Sequence, residues 1–297
     1  MRRLGIAPAC ALLLITACGD GAAPGAIDAG AGGQGAAACS KPPCVPRVAV
    51  ARALAFQTET AGVSRGFDLD GRVSSDADTS SCGQADFTSP EGTPGIDNQF
   101  SVLANTLARI AGDAVQGLIR GAINDGTLLI LLRLDGVDGL ADDPCVDLTL
   151  VPGAGKPLVG TDGMVLSGQT FAADPATPAS PVRCATLKDG VLQAGPFEAL
   201  LPFQVLQVRG VLRIHDSRLR AELAEDGSMH ALLGANIEVA QVSELAHTDG
   251  ALVASNRELV DVLLASIADA APDATGKCQQ LSVAIELELA RAFLFDE

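Results

Sequence analysis

Four aspartates, Asp68, Asp70, Asp76 and Asp78, fall in one short stretch around the bend Asp70-Gly71. Carboxylates two residues apart, turned by a glycine, can converge on a hard divalent cation. Calcium, which takes roughly six to eight oxygen ligands, is the ion that this donor set predicts. Asp86, Glu91, Asp97 and Asn98 lie a little further on and enlarge the supply of oxygens. The spacing departs from an EF-hand loop, because Gly71 arrives early and no glutamate closes the run. A solvated acidic loop is the plainer reading, and calcium bound as a structural ion is the alternative.

Two other patterns could carry catalysis. Gly62-Val63-Ser64-Arg65-Gly66 has the letters of a nucleophile elbow, which needs a strand before the serine and a helix after it. Phe67-Asp68-Leu69-Asp70-Gly71 follows instead, a turn-forming acidic segment, so a glycine-serine loop is expected. The three histidines, His215, His230 and His247, form no His-Glu-x-x-His pattern. His215-Asp216 reads as a local contact at a strand end. Paired carboxylates for glycoside hydrolysis meet only in the fold. Sugar sites, however, are commonly lined by Trp and Tyr faces, and this chain has neither residue.

The elements that must position these groups read as mainly β with two helices, a β-sandwich or barrel-like body. Arg47 to Phe56 alternates, with Val48, Val50 and Arg52 on one side. Thr127 to Leu134 is aliphatic enough for a strand buried on both faces, and Val146 to Val151 forms another. Phe203 to His215, Arg218 to Leu223 and Met229 to Val242 read as successive long strands, with Asp226-Gly227 as a hairpin turn. Leu219, Ala221 and Leu223 face inward there, and Arg218, Arg220 and Glu222 outward. Val283, Ile285, Leu287 and Leu289 alternate with Ala284, Glu286 and Glu288 in a final strand. Repeated Asp-Gly turns between such runs favour a sandwich or barrel. One helix is expected from Asn98 to Ile123, with Phe100, Leu103, Leu107, Ile110, Ala114, Leu118 and Ala122 on its apolar face. Gly117 and Gly121 would permit close approach of a neighbour. Ser255-Asn256-Arg257-Glu258 is a capping box for a second helix to about Ala270, with Leu259, Val262, Leu263 and Ile267 turned to the core.

The N-terminus carries an address. Arg2-Arg3 precedes a mostly apolar stretch from Leu4 to Ala17, interrupted by Gly5 and Pro8 and short for a membrane span. It ends in Leu14-Ile15-Thr16-Ala17-Cys18. These residues resemble the lipobox of bacterial lipoproteins. The resemblance covers only the start of the chain and implies cleavage before Cys18 and acylation of its thiol, with Ile15, Thr16 and Ala17 at the recognition positions. An ordinary secretory signal or a twin-arginine signal are the alternatives. Gly19, where an aspartate would favour inner-membrane retention in enteric lipoproteins, implies outer-membrane sorting. Residues 1–17 are then a signal peptide, 18–45 a lipidated Gly/Ala-rich tether and 46–297 a β-rich globular domain. The tether has almost nothing to bury and is expected to act as a flexible spacer.

The net charge of −16 becomes more acidic still when Arg2 and Arg3 are removed. Such a chain is repelled by nucleic acid and by anionic headgroups, so the expected partner is the membrane, reached through lipid. An envelope protein is a further possible partner. Of eight cysteines, Cys10 lies in the signal and Cys18 takes the lipid. The even remainder, Cys39, Cys44, Cys82, Cys145, Cys184 and Cys278, favours disulfides in an exported chain. Cys39–Cys44 would close a small loop, and Cys145–Cys184 and Cys82–Cys278 would pair the rest. Free buried thiols are the alternative. The function expected is a non-catalytic structural or binding role at the envelope. The rivals are a periplasmic or surface hydrolase and a carrier of an apolar ligand.

Overall fold

The structure is a computed structural model describing residues 45–111, 113–205, 208–248 and 254–295. Among the described residues, fourteen strands and four helices follow in chain order. β1 (Arg47–Phe56) leads into four short strands, β2 (Glu59–Thr60), β3 (Val63–Ser64), β4 (Phe87–Thr88) and β5 (Pro94–Ile96). Next come α1 (Phe100–Ala111), α2 (Ala114–Asp125), β6 (Ile130–Asp135), β7 (Asp143–Ala154), β8 (Gln169–Ala173), β9 (Ser180–Lys188) and β10 (Val191–Val205). The chain continues through β11 (Val208–Leu223), β12 (Met229–Glu238), α3 (Val239–Thr248), α4 (Ala254–Ile267), β13 (Ala270–Pro272) and β14 (Cys278–Phe295). The fold is therefore mainly β.

The long strands close into a ring. β1 pairs with β6, β6 with β7, β7 with β9, β9 with β10, β10 with β11, β11 with β12, β12 with β14, and β14 with β1 again, every pair antiparallel. β8 bridges β7 and β14, running parallel to β14. The period-two pattern explains the closure. Ala231, Leu233 and Ala235 of β12 lie opposite Leu287, Ile285 and Val283 of β14, and all six are buried. Leu219 and Ala221 of β11 continue the same layer. With Leu131, Leu132, Leu148, Leu150, Leu187 and Leu192 they form one continuous aliphatic cluster.

β2 to β5 form a separate four-stranded sheet laid on the outer side of β14. Asn98, fully buried, fastens it: its amide nitrogen donates to Ser64 Oγ at 2.8 Å and to the Gln57 carbonyl at 3.2 Å, and its carbonyl accepts from Ala284 N–H at 3.0 Å. This cover explains why Ala284, on the expected outer face of β14, has no exposed surface.

Several sequence expectations are corrected. The helix expected from Asn98 to Ile123 is two helices, α1 and α2, and Leu118 is exposed while Ile119, Ala122 and Ile123 are buried. A Cβ at Gly117 or Gly121 would meet nothing within 4 Å, so no neighbour makes a close approach there. The run Phe203 to His215 is divided between β10 and β11, and Val239 to Val242 belongs to α3. In α4, Leu259 and Val262 are 66% and 61% exposed, whereas Leu264 and Ile267 pack with Leu281. Ile267 packs as expected, and Val260 and Leu264 share its buried face in place of Leu259 and Val262.

Two disulfides join the described cysteines in the expected pairs. Cys82–Cys278 ties the segment between β3 and β4 to the start of β14, and Cys145–Cys184 links β7 to β9. Cys18, Cys39 and Cys44 lie outside the described residues, as do the signal and most of the tether.

Candidate metal cluster and adjoining cleft

Oxygens of Asp68, Asp70 and Asp97 lie within 4.8 Å of one another. Backbone hydrogen bonds hold each carboxylate. Asp68 accepts from Gly71 N–H at 2.6 Å, Asp70 from Arg72 N–H at 2.8 Å, and Asp97 from Leu69 N–H at 2.6 Å. Gly95 lets the two segments meet. Its φ is +86°, and a Cβ there would stand 2.8 Å from the Arg72 carbonyl, so the 68–72 turn lies directly against β5.

Asp97 is 8% exposed. Burial, reinforced by the neighbouring Asp86, Asp269 and Asp70 charges, pushes its carboxyl up to about 8. Burial also raises Asp86, which accepts from Ser74 N–H. At neutral pH the Asp97 carboxyl keeps its proton for much of the time, and a cation ligated by the three aspartates would replace it. Of the four aspartates singled out by spacing, Asp68 and Asp70 converge. Asp76 is exposed in the next turn, and Asp78 accepts from the N–H and hydroxyl of Ser75, which holds its carboxyl below the usual range. The third member, Asp97, is separated in sequence and arrives only through the Phe67–Asp97 bridge. Cys145, Asp147 and Cys184 also cluster, but both sulfurs are in a disulfide and Asp147 accepts from Arg183 and from Cys184 N–H.

Asp68 also lines a cleft of about 720 Å³ between the small sheet and the outer wall of β9 to β12 and β14. Phe67 packs on Gly234, where a Cβ would come within 2.6 Å of its ring, and so seats the small sheet on the wall. Across the cleft Glu286 takes three partners: Arg65 at 3.2 Å, His230 Nε2 at 2.8 Å and the Gln57 amide at 2.9 Å. Arg218, Arg220 and Glu222 alternate along the outward side of β11 and complete the charged lining.

The remaining catalytic candidates are engaged otherwise. Ser64 is buried, its hydroxyl accepts from Asn98, and no helix follows it, so the elbow geometry is absent there. His215 sits inside β11 at a bulge, not at a strand end. Its ring nitrogens face Glu198 at 2.7 Å and Glu238 at 3.2 Å, while Asp216 turns to Asn236. The His247 side chain lies outside the described residues.

Comparison with family models, with curated proteins and with solved structures returns no match for this chain.

Proposed function

We propose that the protein is a cell-envelope lipoprotein, lipid-anchored at Cys18 and sorted to the outer membrane, whose folded body has a non-catalytic binding role. The observation that carries the binding role is the charged cleft between the small sheet and the ring. Polar groups converge there, whereas the ring interior is occupied by aliphatic side chains, an arrangement that favours a surface binder over an apolar-ligand carrier. His215 and His230 pair with glutamates, not with a hydroxyl or thiol among the described residues, which favours binding over the hydrolase alternative. The lipobox supports the address, and the two disulfides suit an oxidising compartment. A calcium ion at Asp68, Asp70 and Asp97 would brace the small sheet and one wall of the cleft.

The anchor is tested by mass spectrometry of protein extracted from membranes. The expected product begins at Cys18 and carries acyl chains, and Cys18→Ser leaves the membrane fraction. A chain that retains its leader, or an unmodified Cys18 in the aqueous phase, ends that reading. Calorimetric titration with calcium tests the ion; absence of heat together with an unchanged melting temperature removes it.

A further inference from the structure

We propose that the cleft binds a small ligand through a single oxyanionic group, a phosphate, sulfate or carboxylate, gripped by Arg218 and Arg220. The proposal rests on the cleft being a binding site and names the chemistry of its ligand. Arg218 is half-buried, and its Nε is wholly buried with no hydrogen-bond partner among the described residues. Buried donors are seldom left in that state, because each one gives up its hydration. A guanidinium offers five N–H donors in a fixed fork and no acceptor; with Nε closed off, a ligand in the cleft would meet the terminal nitrogens, and an oxyanion is the group best matched to them.

Gly195 permits this placement. It lies on β10 beside the bulge, with φ +125°, and a Cβ there would stand 2.6 Å from the Ser217 carbonyl and 3.1 Å from Arg218 Cγ. The missing side chain leaves room for the Arg218 stem along the wall. Arg220 projects on the same side two residues on, between Gln193 of β10 and Leu232 of β12, so both forks can reach one group. Glu286 is already engaged by Arg65 and His230 and does not neutralise this pair. Glu91 and Glu222 are also in the lining, and Glu91 lies close enough to Arg220 for the two charges to interact, so Arg220 is partly compensated and Arg218 is the freer of the two. The two glutamates disfavour a polyanion and leave one charged group with a polar remainder as the best fit.

The test uses the full lipidated chain, isotopically labelled, in neutral detergent at low ionic strength. Inorganic phosphate and acetate are titrated separately, with glycerol and ethanolamine as uncharged and cationic probes, and NMR follows the Arg218 Nε–H and the Gly195 amide. Saturable shifts with phosphate or acetate are expected. Arg218→Gln should weaken binding at least about tenfold, and Arg213→Gln, on β11 outside the cleft lining, should leave it within about twofold. Arg220→Gln, at an exposed position, serves as a second variant should Arg218→Gln disturb folding, and should weaken binding several-fold. If anion binding is unchanged in both arginine variants, or if glycerol or ethanolamine moves the Gly195 amide while neither anion does, the oxyanion assignment is overturned and the cleft remains a binding site. If no probe moves any amide of the cleft, both readings fall.

Discussion

Replacing Asp97 with asparagine probes the buried acidic cluster in a way that separates proton, metal and packing. With its carboxyl at about 8 in the folded chain, far above the ordinary aspartate value of 3.8, Asp97 holds a proton that the unfolded chain has already lost. A raised folded value means that this stability is fully present below about pH 4 and is lost as pH climbs through about 8. At about 1.4 kcal/mol per pH unit, the metal-free protein should lose roughly 4 kcal/mol from this residue alone between pH 5 and pH 9. Asparagine matches the protonated acid in shape: its carbonyl can still accept from Leu69 N–H and its amide can face Asp86. In chelator, Asp97→Asn should therefore equal the wild type within about 2 kcal/mol at pH 5 and exceed it by several kcal/mol at pH 9, as read from urea unfolding at a series of pH values. Asp269, raised to about 7 by burial, adds a slope to both proteins that cancels only in part, because its charge also acts on Asp97. Millimolar calcium should restore the wild type at pH 9 and do nothing for the variant. A pH-independent difference between the two proteins would refute the reasoning about burial, and equal calcium stabilisation of both would refute the role given to Asp97 as a ligand.

Three further outcomes follow from the fold. Replacing Cys82 and Cys278 together with serine opens a separation of 196 residues, and replacing Cys145 and Cys184 opens one of 39; chain entropy sets ceilings of about 5 and about 4 kcal/mol for these losses in denaturant melts. Gly126→Ala should cost about 3 kcal/mol or more by the same melts, because Gly126 ends α2 at φ +79° and a Cβ there would fall 1.9 Å from the Gly155 carbonyl. Leu148→Ala, at a fully buried position of β7, should destabilise by about 2–5 kcal/mol, and a smaller loss would mean that the aliphatic cluster collapses around the gap.

Alternation made the main wall of the ring readable. The inward and outward sets of β11, and the run from Val283 to Leu289, follow directly from a period of two, and Asp226-Gly227 marks the turn before β12. The stretch from Val191 to Val205 was not readable as one strand. Its alternation is interrupted by Gly195-Pro196, and its pairing with β11 shifts register on either side of Phe197. α3 was misread because Val239, Val242 and their neighbours suit either period over so few residues. In the acidic cluster, local spacing found Asp68 and Asp70, which share a turn, but could not connect them with Asp97. That contact depends on β5 bringing a buried carboxyl against the same turn. The cleft had no local signal at all: Arg65 and Glu286 are separated by most of the chain and meet only because Asn98 fastens the small sheet to β14.

Because β14 returns to β1, β12 and β14 have neighbours on both sides along much of their length. Open strand margins are the usual templates on which one molecule adds to the next, and the closed part of the circuit withholds them. Among the described residues, what is left open is β10 beyond Gln193, which pairs with β11 on one side only, and the outermost members of the small sheet, β2 and β5, which are two and three residues long. The molecule therefore withholds its central aliphatic strands from other copies, and the outer margin of β10 is the place where one could add.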